Sequence, residues 1–239
     1  HELRSQQMGT LLGNVWHLLN PILSIAVYAL IFGVILKVDR GVNNFVSFVA
    51  VGVFIFSFTQ KSVITGSQSL IKNRGLIRSI SFPRALLPIT SVTTEFLAFL
   101  PGLFVMFITC LATGTRPQLS WLLVPILLIV HFIFNTGVTL IAARATTHFN
   151  DVKNILPFVF RLLFYGSGVL FSVDAYVTND LVRSLFAINP IFDLLEIYRW
   201  SILGGDVSFV EVIGLLLWTV AFFTFGIFWF RQGESSYGV

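Results

Sequence analysis

Residues 117–143 read PQLSWLLVPILLIVHFIFNTGVTLIAA, twenty-seven positions without a single Asp, Glu, Lys or Arg. A helix needs about 20 apolar residues to cross the ~30 Å hydrocarbon core of a bilayer, so this run is long enough to span one. In lipid every backbone polar group must be satisfied internally, which selects helix over an open strand. Runs free of acids and of Lys and Arg recur at 14–36, 41–60, 96–115 and 212–230, and a weaker one at 154–173 is interrupted by Arg161. These runs predict an all-α integral membrane protein with six crossings, at about 14–36, 44–70, 85–112, 119–145, 154–173 and 208–231. They make one transmembrane domain of residues 1–239.

Composition agrees. The chain is 56% hydrophobic and 11% charged, with a mean hydropathy of +0.87; soluble domains lie near 45–50% apolar and about 25% charged. A net charge of +4 from so few ionisable residues argues against a nucleic-acid partner. The one cysteine, Cys110, excludes an intrachain disulfide and a thiolate metal site. Residues 1–13 are polar and the run after them is too long for a signal-peptide core, so no cleaved leader is expected. The chain opens at His1 rather than Met, which leaves room for residues upstream.

Motifs for bond chemistry are missing. There is no Gly-x-x-x-x-Gly-Lys-Ser/Thr loop to cradle a nucleotide and no His-Glu-x-x-His. His1, His17, His131 and His148 are scattered, and no Ser sits in a Gly-x-Ser-x-Gly elbow. No catalytic residue, metal or bound cofactor is expected.

Orientation follows from Lys and Arg beside the spans. With the N-terminus in the cytoplasm, Arg4, Lys72, Arg74, Arg78, Arg84, Arg144, Lys153 and Arg231 are inside. Lys37, Arg40, Arg116, Arg183 and Arg199 are then outside. The decisive cluster is Lys72-Asn-Arg-Gly-Leu-Ile-Arg-Ser-Ile-Ser-Phe-Pro-Arg84, between the second and third spans. Ser69 to Ile80 has the pattern of a short amphipathic helix, weakened at Gly75 by about 1 kcal/mol relative to Ala and stopped before Pro83. Read alone, it suits a membrane-surface loop as well as a contact for a partner. The outer region 174–206 is no hydrophilic loop: Leu181–Ile188 and Ile191–Leu203 are apolar pieces too short to span, broken at Asn189-Pro190. They predict a re-entrant or interfacial helical hairpin that lines or lids something.

Three charges fall inside spans: Lys61, Glu95 and Arg161. Each costs about 2.5–3.5 kcal/mol on insertion scales, so Glu95 is expected to pair with Lys61 or Arg161, or to face water. Two aromatic stripes, Tyr28 with Phe32 on the first span and Phe160, Phe164 and Phe171 on the fifth, suit either packing or an amphipathic ligand such as a sugar.

Taken in order, Gly13-Asn-Val-Trp16 with Leu19-Asn-Pro21, then Asn73 to Arg84 with Leu87-Pro88, begin a recognisable series. Phe149-Asn-Asp-Val-Lys153 before Leu156-Pro157, and Ile188-Asn-Pro-Ile-Phe192 with Tyr198-Arg199, complete it. Together they resemble the ABC-2 type permease family, in its branch that exports lipid-linked O-antigen, teichoic acid or cell-wall galactan. The resemblance implies that residues 69–82 are a cytoplasmic coupling helix seated in a separate nucleotide-binding subunit. Lys72, Asn73, Arg74, Gly75, Leu76, Ile77, Arg78, Phe82, Pro83 and Arg84 would make that contact, with Asp151 and Lys153 as a second one. It implies a path walled by the first and fifth spans, with Tyr28, Phe32, Phe160, Phe164 and Phe171 as lining. It also implies a homodimer in a bacterial inner membrane, with both termini cytoplasmic and an amphipathic helix ahead of the first span. Two ATPase subunits would carry ATP and Mg, and the cargo would be a lipid-linked polysaccharide, with galactan the preferred polymer. The chain departs from the family pattern at Asn150, where an Arg is usual, and at Gly166-Ser-Gly168, where Ser-Pro is usual. The competing readings are an ABC-2 exporter of small hydrophobic compounds, a membrane glycosyl or acyl transferase, and a secondary transporter using Glu95.

Overall fold

The computed structural model describes residues 44–177 and 179–234, together with Leu19, Ile22, Leu23, Ala26, Val27 and Leu30. In chain order from residue 44 the helices are α1 (Phe45–Ser67), α2 (Ser69–Lys72), α3 (Arg74–Ser79), α4 (Leu86–Ala112) and α5 (Val124–His148), the last entered through a 3-10 turn at Leu119–Leu123. They continue with α6 (Val152–Gly166), α7 (Val173–Tyr176), α8 (Asp180–Ala187), α9 (Pro190–Leu203) and α10 (Phe209–Gln232). No strand occurs among the described residues.

Four helices are long and apolar enough to cross a membrane: α1, α4, α5 with its entry turn, and α10. At 23 residues α1 is about 35 Å long, enough for the hydrocarbon core with little tilt. Its first turn is capped by Asn44, whose Oδ1 accepts from the Ser47 amide at 3.2 Å, while the Asn44 amide donates to the Thr113 carbonyl just past the end of α4. The start of α1 thus lies beside the end of α4. At α10, Ser208 Oγ accepts from the Val210 amide and the Glu211 carboxylate accepts from the Ser208 amide, a reciprocal cap.

The core is built around α1, which packs on α4, α5, α6 and α9. In its most apolar stretch 72% of residues are buried, against 22% in α4 and 17% in α10. Those two helices turn Leu97, Phe104, Ile108, Leu217, Val220 and Phe228 outward, a surface suited to lipid rather than water. The α5–α10 contact is backbone on backbone. A Cβ on Gly137 would lie 2.5 Å from the Phe222 carbonyl carbon, and one on Gly226 would lie 2.5 Å from the Gly137 oxygen.

Two expectations change, for the fifth span and for residues 69–82, while the first span is not reached. The predicted first span, with Tyr28 and Phe32, lies outside the described residues apart from the six positions named above. The predicted fifth span, 154–173, is helical only as α6, whose 15 residues reach about 22 Å, short of a full crossing. It stops because Gly168 enters the left-handed region at φ +65°. Residues 167–170 beyond it are nevertheless buried in protein, as irregular backbone at that depth must be. The helix predicted for 69–82 is two pieces. Asn73 separates them, turning its amide back to the Ser69 carbonyl at 2.8 Å, and Ile80 is extended ahead of Pro83, so the helix ends at Ser79. Region 174–206 is short helices: α8 and α9 meet at Ile188–Asn189, with α9 buried in the core and α8 exposed at Val182 and Leu185.

Candidate functional site

The basic segment at one end of the bundle is split by chemistry. Lys72, Arg74, Gly75, Leu76 and Arg78 are exposed, whereas Leu70 and Ile77 are buried. These two join Leu140 and Ala143 of α5 and Phe230 of α10 in a small apolar cluster, with Phe82 at its edge. The exposed cations are therefore mounted on a hydrophobic footing shared by two spanning helices. A shallow cleft of about 230 Å³ opens beside it, bounded by Arg78, Ser79, Ile80, Ser81, Phe82 and Arg84 among others.

Two arginines secure the same end. The Arg84 amide donates to a Glu234 carboxylate oxygen and its guanidinium to the Glu234 carbonyl. Arg144 donates to the Trp229 carbonyl and lies over the Trp229 ring at 4.7 Å. Both cations thus meet the negative end of the α10 dipole. Arg84, predicted as part of the partner contact, has its guanidinium turned inside the chain. Asp151 and Lys153 stand at the start of α6; Asp151 is exposed at the N-cap position without a side-chain cap bond. Pro83 is exposed.

At the opposite end a second polar cluster holds α9 to the end of α6. Arg199 of α9 is 4% exposed. Its guanidinium donates to Glu196 Oε1 at 2.7 Å and to the Gly168 and Val169 carbonyls at 2.9 Å, and it lies over the Phe48 ring at 3.5 Å. Gly52 makes room for it, since a Cβ there would come within 2.9 Å of Arg199 Nη2. Asn189 works from the hairpin break: its amide donates to Ser167 Oγ at 2.8 Å while its Oδ1 caps α9 at the Ile191 amide. Nearby Asp193 is buried against Gly214, and neither carboxylate oxygen has a hydrogen-bond partner among the described residues.

The remaining predicted residues fall as follows. Phe160 is buried, and Phe160 and Phe164 meet Phe56 of α1 edge-on at 6.0 and 5.2 Å. Phe171 lies past α6, edge-on to Tyr176 and Phe186. The other face of α6 is open: Phe158, Leu162 and Tyr165 are each 58% exposed, and Arg161 is exposed with them. Lys61 and Glu95 line one small pocket between α1 and α4, where Glu95 accepts from Thr65 at 3.1 Å; among the described residues no ion pair joins them. Arg161 is not brought to that pocket. His131 is an interior residue bonded through Nε2 to Thr59 Oγ1 at 2.7 Å. Sequence reasoning took Arg199 only as an outer cation and a family match. The signal for its role was an Arg three residues after Glu196 in a mostly apolar helix, a pair that burial must satisfy.

Four helices able to span a membrane, with a basic segment footed on two of them, define an integral membrane protein. The chain belongs to the ABC-2 type transporter family, whose profile matches residues 2–203. It is similar to the O-antigen export system permease protein RfbA of Myxococcus xanthus, 29% identical over 199 residues that cover 83% of this chain and 75% of the relative. Two proteins of the same name from Klebsiella pneumoniae are each 26% identical. One match covers 98% of this chain and 91% of the relative. The other covers 91% and 83%.

Proposed function

We propose that this chain is the permease subunit of an ATP-driven exporter that moves a lipid-linked polysaccharide from the cytoplasm to the outer face of a bacterial inner membrane. The relatives named for O-antigen export support the cargo class. One structural observation carries the mechanism. The exposed Lys72, Arg74 and Arg78 ride on Leu70 and Ile77, which are packed into α5 and α10. A partner that displaces this segment therefore displaces two spanning helices with it.

Two copies of the chain form the path between them, because one small bundle encloses little and twofold assembly is the commonest solution. Two separate nucleotide-binding subunits bind ATP and Mg, and their closure pushes α2 and α3. Gly75, Leu76, Asp151 and Lys153 complete the partner contact, while Arg84 transmits force inward. Both termini are cytoplasmic and region 174–206 is the outer re-entrant hairpin. Tyr28 and Phe32 of the predicted first span line the path. Phe164 and Phe171 border it and Phe160 backs it, while the open α6 face of Phe158, Arg161, Leu162 and Tyr165 meets the cargo. This chain makes and breaks no bond. Galactan is the preferred polymer.

The test is whether a neighbouring reading frame encodes a P-loop ATPase and whether this chain copurifies with it, followed by ATP turnover and polymer translocation in lipid vesicles. Arg74→Glu or Arg78→Glu is expected to leave the protein inserted and the ATPase active but to lower translocation per ATP by about tenfold or more, since charge reversal at a contact costs on the order of 1–3 kcal/mol. Normal translocation in both variants would remove the coupling assignment.

A further inference from the structure

At the end of the bundle opposite the basic segment, the start of α1, the end of α4 and the end of α9 enclose an open cleft of about 610 Å³. Its described lining combines aromatic, cationic and acidic side chains. Trp200 is half-buried, and Phe48 lies under the Arg199 guanidinium. Arg116 and Asp206 are exposed on its rim, and neither has a partner among the described residues. Glu196 uses Oε1 on Arg199 and has no recorded partner at Oε2. The nearly fully buried Arg199 has no acceptor for its Nε. The rim is kept low by Gly114 and Gly205, at φ +94° and +98°, where an added Cβ would meet nothing within 4 Å.

Charge decides the ligand class. The described lining carries Arg116 and Arg199 against Glu196 and Asp206, which balance, and Arg199 is already paired. A phosphate or diphosphate would meet two carboxylates without a net positive field, an arrangement that repels it. A neutral, hydroxyl-rich ligand fits instead. Carboxylates accept from hydroxyls, guanidinium groups donate to them, and an aromatic face takes the apolar side of a ring. The volume lies within the range of small-ligand sites.

We propose that this cleft is an outer saccharide-binding site that holds a neutral glycan stretch as the chain emerges. The inference rests on the export reading above. It adds a second, outward station separate from the path, one that captures several sugar residues without gripping the lipid diphosphate. Capture there biases the polymer against sliding back between strokes.

The experiment uses the full permease with its ATPase in lipid nanodiscs. A linear galactose hexasaccharide is titrated while saturation transfer to its ring protons is followed by NMR, and inorganic pyrophosphate is added as competitor. Saturable binding is expected, weakened about tenfold by Trp200→Ala and severalfold by Asp206→Asn, with no displacement by pyrophosphate. Asp206 and Arg116 are exposed and make no internal bond, so Asp206→Asn and Arg116→Gln keep the test valid should Trp200→Ala misassemble. Absence of saturable binding overturns the site, as does binding unchanged in Asp206→Asn and Arg116→Gln. Displacement by pyrophosphate overturns the ligand class in favour of an anion site. Vesicle translocation is measured in parallel. Wild-type export with cleft variants that bind and export normally sinks the cleft and leaves the export reading standing. Lack of ATP-driven export by the wild type sinks that reading, whatever the cleft binds.

Discussion

Replacing Arg199 by methionine is expected to unseat the end of α6 and to abolish export. The methionine fills similar volume but leaves Glu196 without its partner and the Gly168 and Val169 carbonyls without their donor. Removing one member of a buried ion pair costs roughly 3–5 kcal/mol. Glu196 keeps 26% of its side-chain surface exposed, so part of its charge returns to solvent and the cost falls near the lower end of that range. For a chain of this size that corresponds to a drop of very roughly 5–10 °C in melting temperature, measurable on the purified complex by light scattering or fluorescence. Arg199→Lys keeps the charge but has no planar fork to reach two carbonyls and a carboxylate together, so it rescues only in part. Glu196→Gln, which keeps an acceptor for Nη1, is expected to be milder than either. A methionine variant that melts and exports like wild type would show that the cluster bears no load.

The second large effect is expected at Gly137. A leucine there meets the Phe222 carbonyl carbon and the Phe223 nitrogen, both main-chain atoms that no rotamer change moves aside. Overpacking of a tight site costs about 1–3 kcal/mol even when side chains can give way, and here α10 itself must shift. Gly137→Leu is therefore expected to separate α5 from α10 and to yield aggregated protein. Gly137→Ala is expected to yield a destabilised but insertable one. Monodispersity on size exclusion and melting temperature read both. Gly75→Ala is the matched control. Nothing lies within 4 Å of a Cβ there, and alanine favours helix by about 1 kcal/mol, so the bundle is expected to be unharmed. A well-behaved Gly137→Leu protein would mean that the two helices do not touch at Gly137.

The four long helices were legible because lipid asks of a span sufficient length with few charges, a rule that Lys61 in α1 and Glu95 in α4 do not upset. The break at Asn189-Pro190 was legible for an equally local reason, whereas the caps at Asn44 and Ser208 came to light only in the structure. What local pattern could not show was where α6 ends. Val169, Leu170 and Phe171 continue the apolar run of the fifth predicted span, so hydropathy carries on past Gly166. The helix stops because of Gly168 and because side chains about 20 and 30 positions further on, Asn189 and Arg199, bond to the turn. Such a stop is tertiary. The same holds at the basic segment, where sequence supplied the cluster of cations but not that Arg84 turns inward to Glu234, 150 residues away. Phe160 and Phe164 were read from spacing as one face of a helix. Spacing cannot say which face meets the bundle, and Phe56 of α1 takes that one.

Arg84 ties the basic segment to the end of α10, and Arg144 ties α5 to the last turn of the same helix. Anything that rotates the 72–84 segment must also turn the tail of α10, because the two are pinned at Glu234 and rest on one apolar bearing at Phe230. If the proposed coupling holds, a rigid body fused close to Glu234 is expected to lower translocation, whereas the same body on a long flexible tether is expected to leave it unchanged.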